Sequence, residues 1–100
     1  MYLYNKSVMN DQSIVVLKSI ADSTRLSVVK HIYSQGTEVS CSEVTKSCST
    51  FLNLSQPTMS HHFGRLVQSG VLLERKVSAE KYYKLNSALL SQLGIDITKL

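Results

Sequence analysis

Several features that define common protein classes are missing from this sequence of 100 residues. No apolar run approaches the ~20 residues that a membrane-spanning helix needs. Residues 1–7 lack the basic start and apolar run of a signal peptide, so a cytoplasmic protein without a membrane partner is expected. There are only two cysteines, Cys41 and Cys48, which are too few for a disulfide framework. In a reducing cytoplasm both should be free thiols.

The sequence motifs of common catalytic sites are missing as well. There is no glycine-rich phosphate loop, no His-Glu-x-x-His segment and no pair of carboxylates at a catalytic spacing. A cysteine and a histidine form a catalytic pair only if they meet in space, and nothing in the sequence indicates that they do. We therefore predict that the protein is not an enzyme and that it needs no cofactor.

Charge is scarce, at 18% of residues, but it is unevenly distributed along what its length predicts to be one domain. The formal net charge is +4. Residues 56–85 contain five basic and two acidic residues, a net charge of +3, whereas the other seventy residues have a net charge of +1. A phosphate-binding surface requires such a concentration of positive charge. A solvated basic face is the alternative that charge alone leaves open.

The most informative segment is residues 54–70, which predicts an amphipathic helix with defined ends. Ser55 can cap its start, and Gly70 can adopt the left-handed conformation that ends a helix. The apolar residues repeat with the spacing of one helix face; they are Met59, Phe63, Leu66 and Val67. The polar residues are suited to contacts with base edges and phosphates; they are Ser55, Gln56, Thr58, Ser60, His61 and Arg65.

The segments before this helix predict a helical domain. Two helices are expected at about residues 11–20 and 23–35, the first with an inward face of Ile14, Leu17 and Ala21. A short strand at residues 37–40 should pair with a later segment. A weak helix at about residues 42–49 and a turn at residues 51–54 then lead into the capped helix. Together they predict a helix-turn-helix at about residues 41–69.

After Gly70 the apolar period changes to two, which indicates strands at residues 71–77 and 81–85. The intervening residues 78–80 contain no Gly, Asn or Pro, so a loose loop is expected rather than a tight two-residue turn. A helix-turn-helix followed by a basic hairpin is a winged helix. The fold class is therefore mainly α with a small β-hairpin wing and about five helices. The basic wing residues predicted to contact phosphates or a minor groove are Arg75, Lys76 and Lys81.

The two ends of the chain are rich in apolar residues. A last short helix, capped by Asn86 or Ser87 and ending near Leu93, is too apolar to stand alone. We expect the N-terminal and C-terminal helices to form a dimer interface; the alternative is that the last helix folds back on its own core. Residues 1–10 can pack on a partner chain or on the domain itself.

The cysteines and the adjacent histidines are the candidates for sensing chemistry. On one helix the Cα atoms of Cys41 and Cys48 would lie about 10 Å apart, whereas a disulfide needs less than about 7 Å. Packing, a thiol sensor and a metal site with an outside ligand all stay open for this pair. His61 and His62 point about 100° apart on a helix, so they are poorly placed to chelate one metal ion. We expect His61 to contact DNA, with an affinity that rises as the pH falls, and a neutral His62 to pack against the domain.

Four segments resemble the ArsR/SmtB family of regulators. Residues 17–26 contain an Ala-Asp-x-Thr-Arg-Leu pattern similar to the family's entry to its second helix. Residues 54–63 resemble its recognition helix, residues 66–72 the exit from that helix and residues 83–85 the end of its wing. The resemblance covers about residues 12–87. It implies a homodimeric winged-helix transcriptional repressor that binds double-stranded DNA and that a metal ion or thiol oxidation often releases.

The sequence departs from the family where an effector would bind. The family's thiolate metal site uses a Cys-x-Cys pair, but residues 39–43 contain one cysteine. Its other common site uses Asp, His and Glu on the C-terminal helix, and residues 87–93 contain none of them. Residues 48–54 are longer than the family's tight turn, and the wing tip lacks its frequent glycine. The Ser-His-His-Phe sequence of residues 60–63 resembles a subgroup with no fixed effector.

The sequence therefore predicts a DNA-binding repressor that binds an inverted-repeat operator through residues 55–69 and the wing at residues 71–85. A thiol-oxidation or metal signal is a possible means of release. The alternative is a winged helix that contacts an acidic protein and binds no specific DNA sequence. A salt series separates the two, because phosphate contacts make affinity fall steeply with salt.

Overall fold

The computed structural model describes residues 12–100, apart from the side chains of residues 49–51. The predictions for residues 1–10, and for a helix start at Asp11, lie outside the described residues. The described part contains five α-helices, three β-strands and a final 3₁₀ turn: α1 Gln12–Ile20, α2 Ser23–Gln35, β1 Val39–Ser40, α3 Cys41–Leu52, α4 Gln56–Ser69, β2 Leu72–Val77, β3 Glu80–Leu85, α5 Ser87–Gln92 and the 3₁₀ turn Ile97–Lys99. This architecture confirms the predicted winged helix-turn-helix fold. Within residues 12–100, no helix has the length and apolar character to cross a bilayer.

The first two helices confirm the predicted end of α1 and both predicted ends of α2, but not the predicted inward face of α1. Asp22 caps α2 by accepting the backbone N–H of Arg25, and Gly36 ends it with φ of 71°. On α1 the buried residues are Val16, Ser19 and Ile20, whereas Leu17 is 47% exposed. The prediction of Ile14, Leu17 and Ala21 was wrong because residues 14–17 are all apolar, so their spacing does not select one face.

The three strands form an antiparallel sheet in the order β1-β3-β2. Val39 lies opposite Tyr83, so the short predicted strand does pair with a later segment. Strands β2 and β3 form the wing, with Lys76 opposite Lys81. Their connection is a tight turn at residues 78–79, and the predicted loose loop was wrong. Ser78 takes the left-handed conformation with φ of 55°, which supplies the turn without a glycine.

A single core joins the helices to the base of the sheet. Phe63 of α4 stacks on Tyr83 of β3 with ring centroids 4.8 Å apart, which fixes the helix against the sheet. From the C-terminal part of the chain, Leu89, Leu90 and Ile97 are buried in the same core. The fold-back alternative therefore accounts for these three residues, which are not free to contact a partner chain.

Candidate DNA-binding surface

The turn of the helix-turn-helix is short, and the residues on either side of it explain why. Helix α3 continues to Leu52, past its predicted end near Ser49, and only residues 53–55 connect it to α4. Asn53 has φ of 55°, a left-handed conformation that Asn tolerates better than most residues. The additional residues that were predicted to form a long turn thus extend α3. Leu52 and Leu54 pack against the core on either side of the reversal.

The start of α3 is attached to the wing. The carboxylate of Glu80, at the start of β3, accepts hydrogen bonds from the Ser42 backbone N–H and the Ser42 hydroxyl, both at 3.2 Å. A carboxylate at a helix N-terminus satisfies free N–H groups and interacts favourably with the helix dipole. The wing turn and the helix-turn-helix are therefore held in one unit.

Helix α4 has the predicted caps and the predicted apolar stripe. Ser55 caps its start and accepts the backbone N–H of Thr58 at 3.4 Å, and Gly70 ends it with φ of 89°. Met59, Phe63 and Leu66 are each at most 1% exposed. Because one face of α4 is fixed in the core, the opposite face points away from the core.

That opposite face is polar and open to solvent. All six residues predicted to contact DNA from this segment are exposed: Ser55, Gln56, Thr58, Ser60, His61 and Arg65. Two further exposed positions complete the face, Gly64 and Gln68. A Cβ at Gly64 would meet nothing within 4 Å, so this position leaves room for another molecule to approach. Gln68 was not predicted, although its spacing of seven residues from His61 places it on the same side of the helix.

The two adjacent histidines have different surroundings, as predicted. His61 is exposed, whereas His62 is partly buried with its Nδ1 3.3 Å from Nη1 of Arg25. Arg25 donates in this pair, so Nδ1 is the accepting nitrogen. Desolvation lowers the pKa of His62 and the nearby Arg25 and His61 lower it further, against an opposing effect of Asp22. His62 therefore packs as a neutral side chain between α4 and α2.

The basic wing residues are exposed, but two of the three have acidic neighbours. Arg75 donates two hydrogen bonds to Glu38, from Nε at 2.8 Å and from Nη2 at 2.6 Å, and its guanidinium lies 5.0 Å from the Tyr82 ring centroid. The hydrogen bonds to Glu38 raise the pKa of Arg75 and lower that of Glu38. Lys81 lies 3.9 Å from Glu74. Lys76 is exposed and has no ion pair with another residue in the described range 12–100.

The two cysteines lie on one continuous helix, so an intrachain disulfide between them would require α3 to break. Cys48 is fully buried, and this burial raises its pKa to about 11. Cys41 is half-buried, with its Sγ 3.8 Å from Oγ1 of Thr45. Across residues 12–100, no three His, Cys, Asp or Glu side chains are grouped in a way that could hold a metal ion.

Comparison with known proteins identifies the family of this fold. A helix-turn-helix domain family matches residues 20–75, which include α2, α3 and α4. The arsenical resistance operon repressor of Staphylococcus aureus is 32% identical over 80 residues, covering 78% of this chain and 69% of that protein. The chain belongs to the ArsR family of winged helix-turn-helix transcriptional regulators. This ArsR-family chain spans 52 to 69% of the length of five curated relatives that it matches.

Solved structures agree with the family at the level of the fold. HlyU from Vibrio cholerae superposes with a TM-score of 0.64 at 26% identity, covering 90% of this chain and 94% of that one. A homodimeric winged helix-turn-helix DNA-binding domain of a possible ArsR-family regulator from Mycobacterium bovis has a TM-score of 0.69 at 18% identity. Its match covers 93% of this chain and 82% of that one.

Proposed function

We propose that this ArsR-family protein is a homodimeric transcriptional repressor that binds an inverted-repeat operator. The observation that supports this most directly is the division of α4 into two faces. Met59 and Phe63 fix one face in the core, and the other exposes short polar side chains to solvent. An α-helix fits the major groove of B-DNA, where such side chains can form hydrogen bonds with base edges.

The exposed residues divide into two roles by their chemistry and position. Gln56, Thr58, Ser60 and His61 contact bases or orient the helix, and Ser55 fixes its start. Arg65 and the wing cations Arg75, Lys76 and Lys81 contact phosphates, which set the register without reading sequence. Arg75 reaches a phosphate only by leaving or sharing the carboxylate of Glu38. Repression follows if the bound protein occupies a promoter.

The proposed dimer places two α4 helices in successive major grooves, about 34 Å apart along the DNA. Leu17 of α1, which is 47% exposed, gives this helix an apolar position suited to a partner chain. The homodimeric Mycobacterium bovis domain supports the same assembly for this fold. Of the C-terminal segment, only residues outside the core, such as Ala88 and Leu100, are available to a partner.

The effector proposal follows from the Ser60–Phe63 sequence and the state of the cysteines. We place the protein in the subgroup with a Ser-His-His-Phe recognition helix and no fixed effector. If oxidation does release the DNA, Cys41 is the thiol that acts, because thiolates react and burial keeps Cys48 protonated. Peroxide should then release DNA from the wild type and from Cys48→Ser, but less effectively from Cys41→Ser.

A salt series on a DNA duplex tests the proposed function. With about five phosphate contacts per protomer, the logarithm of the binding constant should fall with the logarithm of salt concentration at a slope of roughly −4 to −5 for each protomer, and about twice that for the dimer. Fluorescence anisotropy measures this slope, with unlabelled duplex as the competitor. A shallow slope and indifference to competitor DNA would instead support the alternative that this surface contacts an acidic protein.

A further inference from the structure

A basic cleft lies between α1 and α4, beside the helix face described above. It has a volume of about 600 Å³ and is open to solvent. Its charged and polar lining comes from different parts of the chain, with Lys18 and Arg25 on one side and His61, Arg65 and Gln68 of α4 on the other. Neither the helix-turn-helix nor the wing contains Lys18 or Arg25.

The lining of the cleft is positively charged, and the carboxylate of Asp22 lies outside the lining and interacts with Arg25. Three of its eight lining residues are permanently cationic, and none of the eight is Asp or Glu. Lys18 and Arg65 form no ion pair with any residue in the described part of the chain. The wing differs, because Arg75 is paired with Glu38 and Lys81 lies near Glu74. Uncompensated cations in a concave site attract an anion.

Arg25 is held in place without a carboxylate at its guanidinium. Its Nε donates to the Ser19 carbonyl oxygen at 2.5 Å, and its Nη1 donates to Nδ1 of His62 at 3.3 Å. Asp22 accepts the backbone N–H of Arg25 at 2.9 Å and so serves as a helix cap. A guanidinium has five N–H donors, so further donors remain for a phosphate oxygen while the side chain stays oriented.

The position of the cleft indicates which anion it receives. His61, Arg65 and Gln68 follow one another at spacings of four and three residues, so they lie along one side of α4. His61 and Arg65 also belong to the face proposed to contact DNA. A DNA strand whose bases contact this face has backbone phosphates that extend beyond the face, towards the cleft. The cleft is therefore continuous with the DNA-binding surface.

We propose that the cleft binds a backbone phosphate at the edge of the major groove, through Lys18, Arg25 and Arg65. This inference rests on the proposed function and adds phosphate contacts from α1 and the start of α2. Because a phosphate contact is independent of base sequence, the cleft should increase the affinity for operator and random DNA by similar factors.

Lys18→Gln tests the proposal, with Lys30→Gln as the matched control. Both lysines are exposed on helices and both changes remove one positive charge, but Lys30 does not line the cleft. Anisotropy titrations with a random-sequence duplex across a salt series should give a slope shallower by about 0.9 per protomer, or about 1.8 for the dimer, for Lys18→Gln. Lys30→Gln should leave the slope near the wild-type value. Reversing the charge in Lys18→Glu should weaken binding further.

The outcomes separate this proposal from the proposed function. If the affinity of the wild type for DNA falls steeply with salt, but Lys18→Gln and Lys30→Gln have the same salt slope, the cleft proposal is wrong and the proposed function stands. If the wild type does not bind DNA, both fail. Inorganic phosphate is the last probe. It could protect the wild type but not Lys18→Gln from thermal unfolding, while the two proteins have equal salt slopes on DNA. In that case the cleft is a site for free anions and the proposal is overturned.

Discussion

At the scale of single residues, Cys41 and Cys48 show how surroundings decide chemistry. They lie on the same helix, seven residues apart, and the sequence does not predict a difference in their reactivity. In the folded protein Cys48 is fully buried and Cys41 is half-buried. Because the thiolate is the reactive form, a buried thiol with a pKa of about 11 is unreactive near neutral pH.

We therefore predict selective alkylation of the native protein. Iodoacetamide at neutral pH should modify Cys41 well before Cys48, by at least about tenfold in rate. Mass spectrometry of digested samples taken over time measures both rates. In denaturant the two rates should become similar, which controls for local sequence effects. Equal rates in the native protein would show that Cys48 is not protected.

His62 gives a prediction about stability and pH. Its pKa in the folded protein lies below the ordinary value of 6.5, mainly because of desolvation. Between these two pKa values the unfolded chain binds the proton more strongly than the folded chain does. The contribution of a neutral His62 is thus fully present above pH 6.5 and is lost as the pH falls towards its folded-state pKa.

Urea unfolding at about pH 7.5 and about pH 5.5 measures this contribution. The wild type should lose stability on acidification, and His62→Gln should lose less. His61→Gln is the comparison variant: His61 is the exposed neighbour and the smallest contributor to the lowered pKa of His62, so its replacement should reduce the loss less than His62→Gln does. Identical pH dependence in all three proteins would contradict the packed, neutral state of His62.

At the scale of elements, α4 was predictable because its signals are local. Ser55, Gly70 and the apolar stripe all lie within one segment, and each is found as expected. The pairs between distant segments were not predictable. Arg25 meets His62, and Glu38 meets Arg75, each across 37 residues. No pattern of spacing specifies such a partner, since it depends on how the helices and the sheet pack.

The differences between prediction and structure also have physical causes. The loose wing loop was expected because no Gly or Asn is present, yet Ser78 adopts the left-handed conformation. The end of α3 was placed too early because residues 49–54 offer no strong stop signal. The cleft between α1 and α4 was not expected, because Lys18 and Arg65 come together only in the tertiary fold.

Gln56 tests whether α4 contacts bases. Replacing it by Ala should cost ~1–3 kcal/mol on the operator and relax specificity at one base position. Affinity for random DNA should change little, because Gln56 has no charge to lose. Titrating operator and random duplexes in parallel measures both effects. An equal loss on the two duplexes would show that Gln56 does not contact a base specifically.

The Glu38→Gln variant tests whether Arg75 of the wing contacts DNA. In the free protein its carboxylate occupies two N–H groups of Arg75. Glu38→Gln removes this competing negative charge, so Arg75 can contact a phosphate and the salt slope should steepen by about 0.9 per protomer, or about 1.8 for the dimer. Glu43→Gln is the charge-matched control, at an exposed position of α3 outside the wing. An unchanged slope in Glu38→Gln would indicate that Arg75 does not contact DNA.

At the scale of the whole molecule, the fold leaves two kinds of surface open. The polar face of α4, the wing and the basic cleft are suited to DNA, and exposed Leu17 of α1 is suited to contact with a second chain. The core uses Leu89 and Leu90 of α5, so the C-terminal part stabilises the monomer. A dimer would duplicate the DNA-binding surface with two-fold symmetry, which an inverted repeat matches.

The central claim is that this protein recognises a DNA sequence through α4. The most direct measurement selects bound genomic fragments and then compares affinities for a selected fragment and a random duplex at one salt concentration. We predict that the selected fragment contains an inverted repeat and binds at least about 10³-fold more tightly. Equal affinity for the selected and random duplexes would contradict sequence recognition by α4.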